Sequence, residues 1–117
     1  MQSREISDEQ WVSFFNQFSR DHAGWPVTIE VMSPETGPQH LASELPLQGI
    51  SFDPGGTRPC TISVGAGDSP SANISHVVDM PLHIRLAGAE RDDADGTIQI
   101  EPARGPVTLV HFHRPEA

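Results

Sequence analysis

The sequence predicts an α+β domain: one N-terminal amphipathic helix packed on a curved antiparallel β-sheet, or on a partly closed barrel, of about five to seven strands. Three observations predict it. Aromatic residues recur at helical spacing early in the chain, at Trp11, Phe14, Phe15 and Phe18. From Val27 onward the apolar residues alternate with polar ones instead. The alternating segments are short and divided by Pro- and Gly-containing turns, which leaves no room for the dozen-residue crossovers that parallel strands need.

The helix is expected over about residues 8–22. Ser7 and Gln10 have the spacing of a capping box, in which each side chain satisfies an orphan backbone N–H of the other. Ile6 and Trp11 have the spacing of a hydrophobic staple. Asp8 and Glu9 fall in the first turn, where the helix dipole favours negative charge. Arg20 and His22 lie near the other end, and Gly24 suits the left-handed stop position.

A β meander is expected over about residues 26–113. Val27, Ile29 and Val31 form one face of a half-buried strand. Residues 39–52 read as two short strand pieces with a kink at Pro46 and Gly49, and Asp53-Pro54-Gly55-Gly56 reads as a turn. Cys60, Ile62 and Val64 alternate as a further strand, and the small residues 65–73 read as a loop. Residues 74–78 and 82–86 are strand-like, with Met80-Pro81 between them as a bulge or edge signal. Residues 87–96 read as an acidic loop, and residues 97–101 and 107–112 as a hairpin turning at Gly105.

The whole chain narrows the function classes. Its 117 residues fit one domain, spanning 1–117, large enough for a core without staples. The net charge is −9 and all basic residues are Arg, with no basic stripe, so nucleic acid and anionic membranes are excluded as default partners. A single cysteine, Cys60, implies no disulfide framework. The polar start and the lack of a long apolar run imply a cytoplasmic setting.

Four strand histidines are the candidate site residues. Gly105, His111, His113 and Glu116 resemble the first half of a cupin metal motif, and two imidazoles about 6.6 Å apart on one strand face are plausible ligands for Fe, Mn or Zn. The gap to Glu116 is shorter than that motif's, Pro115 sits inside it, and no later histidine completes the set. His76 shares a face with Ile74 and Val78, whereas His83 opposes Ile84, so the bland reading of each is a hydrogen-bonded core or rim residue. Residues 91–96 resemble part of a calcium loop, but the frame puts Arg91 first and Pro102 twelfth, where ligands belong. Gly65-Ala66-Gly67 lacks the helix that a phosphate loop needs. Cys60 has no sequence cue for a lowered pKa and reads as an inert thiol. No catalytic constellation, metal set or cofactor motif is complete.

Arg4-Glu5-Ile6, Trp11, Phe14-Phe15, Phe18-Ser19-Arg20, His22, Gly24-Trp25 and residues 27–31 resemble the opening of an uncharacterised bacterial family of about this length, a domain of unknown function. The resemblance continues more loosely through residues 45–50, 74–76, 84–86 and 98–101. It implies a bacterial, cytoplasmic, single domain and brings no catalytic residue or cofactor with it. The use of Arg to the exclusion of Lys fits a GC-rich genome.

Two functions compete on these grounds. The first is a non-enzymatic domain that binds protein or a second copy of itself through open sheet edges. The alternative is a small-molecule or metal-binding barrel that uses His76, His83, His111 or His113. An acidic regulatory or DNA-mimicking role has only the net charge behind it.

Overall fold

The computed structural model describes residues 3–69, 72–88 and 94–115. The chain runs β1 (Ser3–Ile6), a 3-10 turn (Asp8–Gln10), α1 (Trp11–Asp21), β2 (Pro26–Ser33), β3 (Gly37–Asp53), β4 (Thr61–Ser69), β5 (Ala72–Asp79), β6 (Pro81–Gly88), β7 (Gly96–Pro102) and β8 (Val107–Phe112). The α+β reading holds: an antiparallel sheet with one short helix. The strand count does not, because eight strands form one open sheet rather than five to seven. The added strand and the longer ones come from segments whose composition hides them. Ser3–Ile6 pairs with β6 although its sequence is mostly polar. Residues 65–69 and 72–73, which read as a loop, continue a β4–β5 hairpin, and Gln48 packs close over Gly65, its Oε1 3.2 Å from where a Cβ would sit. Residues 39–52, which read as two pieces, belong to the single strand β3.

The meander expectation is also corrected. The spatial order is β1-β6-β7-β8-β2-β3-β4-β5, so β8 returns to pair with β2, and the consecutive strands β5 and β6 are not neighbours. One residue, Met80, separates them. Six inter-strand steps divide β5 from β6, about 29 Å in a flat sheet, whereas two Cα–Cα steps span less than about 8 Å. The sheet must therefore curl until its two halves face each other. β3 supplies the bend: its first part pairs with β2, its last part with β4, register shifts flank the change, and Glu44 takes a positive φ of 51°.

Curling places the inward residues of every strand in one core. Leu86, Ile98, Val110, Ile29 and Ala42 are direct cross-strand partners in one row, all buried. A parallel row runs Ile6, Ile84, Ile100, Thr108 and Val31. On the facing half, Ile50, Val64 and His76 form a row beside Phe52, Ile62 and Val78.

Helix α1 packs against β3 with Trp11, Phe15 and Phe18 buried, the face expected from the spacing. Phe18 meets Phe112 edge-on at 4.9 Å, and Trp11 meets Phe52 at 5.1 Å. The Ser19 hydroxyl accepts from the Ile50 N–H and donates to the Ile50 carbonyl, both at 2.9 Å, which fixes the helix on the strand. The expected capping box is not made. Residues 8–10 wind as a 3-10 turn, the Gln10 N–H bonds the Ser7 carbonyl at 2.9 Å, and Ser7 makes no side-chain cap. The Trp11 indole donates to the Ile6 carbonyl at 2.9 Å, which ties the first residue of α1 to the last residue of β1. The stop is as expected, with Gly24 at φ 84°. No helix among the described residues is long and apolar enough to cross a membrane.

Phe15 is fully buried, so Phe15→Ala is expected to cost about 3–5 kcal/mol in urea denaturation. Val12, on the same helix but 47% exposed, should lose no more than about 0.5 kcal/mol as Val12→Ala.

Candidate functional site

The four candidate histidines are dispersed. His76 points inward from β5, and its Nε2 lies 3.0 Å from the Oγ1 of Thr108, a residue only 1% exposed. Each is the polar member of an otherwise apolar row, and the curl brings the two rows together so that one polar group satisfies the other. His83 is on the outer face, with its Nδ1 2.8 Å from Glu5 of β1. His111 is also outward, its Nδ1 2.9 Å from the Thr97 hydroxyl and its Nε2 3.4 Å from Glu30. His113 lies 3.8 Å from Asp95. Among the described residues no group of three or more His, Cys, Asp or Glu is placed to hold a metal ion, so the histidine metal-site alternative is not favoured.

The outer face carries a polar ladder instead. Arg85 reaches Glu101 at 3.2 Å and Glu5 at 3.7 Å, which joins β7, β6 and β1. Glu30 lies 3.4 Å from both His111 and His40, which joins β8, β2 and β3. Such solvent-exposed pairs fix register more than stability. The His83 hydrogen bond, helped by the charges of His83 and Arg85, holds the Glu5 carboxyl below its ordinary value of 4.5. Glu5, Glu30 and His40 escaped the sequence reading, because only the register shows which outward residues are neighbours.

Other sequence signals resolve simply. Residues 91–93 of the calcium-like segment and Glu116 of the cupin-like motif lie outside the described residues. Asp95 is occupied at the far end of the sheet, where its Oδ1 accepts from the Arg114 N–H at 2.6 Å. Gly65-Ala66-Gly67 is strand and not a phosphate loop. Cys60 is a half-buried free thiol. His22, which reads as a helix-end charge, is buried: its ring stacks on Phe18 at 4.1 Å, and its Nδ1 lies 3.0 Å from the Phe18 carbonyl oxygen.

Two concavities flank Met80. A cleft of about 190 Å³ lies beside β5 and the β7–β8 turn, lined by His76, Val78, Asp79, Arg104, Pro106 and Thr108. A broader groove of about 490 Å³ lies between the start of α1 and the β6 end of the sheet, lined mainly by Trp11, Phe52, Pro54, Pro81 and Leu82. Met80 itself has a positive φ of 53°, a conformation that costs a non-glycine residue about 1–2 kcal/mol. Its N–H donates to the Cys60 carbonyl at 2.9 Å, and its carbonyl accepts from Ala103 at 2.8 Å.

Burial of the His76 ring disfavours its charged form and lowers its pKa from the ordinary 6.5. As pH falls, the unfolded chain takes up the proton first. This group's contribution is therefore intact above about pH 6.5 and is lost as pH drops through that value, levelling off below the lowered folded pKa. His76→Gln should flatten this part of the stability–pH curve, measured as the difference in Tm between pH 8 and pH 5. Thr108→Val, which leaves the imidazole without its buried partner, should cost about 1–3 kcal/mol.

No solved structure matches the chain. An uncharacterized protein of Aquifex aeolicus (strain VF5) is 35% identical over 54 residues, 46% of this chain and 49% of the relative, so the match spans about half the length of each. A family profile described as "Family of unknown function (DUF5335)" matches residues 2–117. That coverage takes in every element described above, and the chain belongs to this family of unknown function.

Proposed function

We propose that this is a non-enzymatic, cytoplasmic domain that acts by binding protein, and that the partner strand at its open edge is a second copy of the chain. The observation that carries the reading is the contrast between the two edges of the sheet. The β1 edge is four residues long and carries Arg4 and Glu5, the short, charged form that discourages pairing. The β5 edge is eight residues long, has no proline, and has no Lys, Arg, Asp or Glu before Asp79. Its outward Val77 is 49% exposed. A strand of this kind offers backbone donors and acceptors to another chain, and two copies satisfy each other across a twofold axis.

Sedimentation from about 10 µM to about 1 mM should show a monomer–dimer equilibrium. Ser75→Pro, which removes an edge donor, and Val77→Lys, which adds an edge charge, should each shift it to monomer while the circular dichroism stays native. A wild-type chain that remains monomeric at the upper concentration overturns the second-copy reading.

A further inference from the structure

The groove between the start of α1 and the β6 end of the sheet is a second surface, separate from the β5 edge. Its floor is apolar: the Trp11 and Phe52 rings, packed edge-on at 5.1 Å, with Pro54 and Pro81. Its wall is Leu82, 56% exposed, next to Met80, 50% exposed. Leu82 and Met80 are the two most exposed large apolar side chains among the described residues. Here the left-handed backbone of Met80, pinned by Cys60 on one side and Ala103 on the other, fixes Pro81 and Leu82 in that position. Exposed apolar surface held in place is the mark of a contact surface.

The charges lining the groove select its occupant. Asp8 and Glu9, both exposed on the 3-10 turn, line the same concavity, and neither is in an ion pair among the described residues. No basic side chain among the described residues lines it. We infer that this groove docks a segment of a partner protein in which an apolar anchor is flanked by Arg or Lys. The anchor covers Phe52, Pro54 and Leu82, and the flanking cations meet Asp8 and Glu9, an arrangement of apolar centre and charged rim common to protein contacts. A second copy of this chain is disfavoured here, because its net charge of −9 brings like charge to an acidic rim.

The test uses the intact chain and two synthetic peptides. One has a central leucine–phenylalanine pair flanked by arginines, and the other has glutamates in their place. In amide NMR titrations to millimolar peptide, the basic peptide should shift the signals of Trp11, Phe52 and Leu82, and the acidic one should bind at least about tenfold more weakly. The double variant Asp8→Asn/Glu9→Gln alters only exposed side chains and should weaken the basic peptide about five- to tenfold, less so at high salt. Leu82→Ser should weaken both peptides. The Ser75→Pro variant should bind the basic peptide as wild type does, which separates this surface from edge pairing. Equal binding of the two peptides, shifts located elsewhere, or no shift at millimolar basic peptide overturns the inference. Shifts at the same residues on simple dilution of the protein would also overturn it, by assigning the groove to a second copy.

Discussion

The link of one residue between β5 and β6 is the constraint on which the rest of this structure depends. Strands separated by six positions in the sheet are joined through Met80 alone, so the sheet has no flat solution. It must roll until the end of β5 reaches the start of β6, and the left-handed φ of Met80 is the local cost of that turn. Backbone hydrogen bonds to Cys60 and Ala103 hold the residue there, tying the start of β4 and the β7–β8 connection to the same point. The two concavities described above flank this point.

The roll also explains the chemistry of the interior. A sheet with one apolar face needs a second layer, and here the sheet is its own second layer. Branched aliphatic residues fill the cross-strand rows, with Phe15, Phe18 and Trp11 of the helix packed into the same core. The two polar interruptions, His76 and Thr108, lie on strands four positions apart and are costly alone, yet they are 3.0 Å from each other. No buried side-chain nitrogen or oxygen among the described residues lacks a partner. The interior is thus closed in the hydrogen-bonding sense, although the sheet keeps two unpaired edges.

The histidines show how far residue type and spacing carry. His111 lies on β8, but the strand ends at Phe112, one residue before His113, so the two do not share a strand face; His76 shares the β5 face of Ile74 and Val78. What they lack is convergence. His76 is committed to the core, His83 to the β1–β6 pair, His111 to a ladder over β7, β8 and β2, and His113 to Asp95. Each has a nearby acceptor or donor that accounts for it, and these partners come from positions as far apart in sequence as Glu5 and His83. Periodicity assigns a face; it does not say which strands lie side by side.

The helix was legible because its determinants are local: the aromatic spacing and the glycine stop act within about twenty residues. Even there, the first turn was misread, since the Trp11 indole bonds the Ile6 carbonyl and a 3-10 turn replaces the Ser7–Gln10 box. Strand character was legible wherever alternation was clean, as at Val27, Ile29 and Val31. It was hidden where small or polar residues pair at an edge or under a neighbouring side chain, as at residues 3–6 and 65–69. By itself the sequence determined the helix, its buried face and the antiparallel character of the sheet. Only the tertiary structure decided the strand order, the curl and the partners of each histidine. Those depend on contacts between residues tens of positions apart, whose register is set by the turn at Met80 and the bend in β3 rather than by any local pattern.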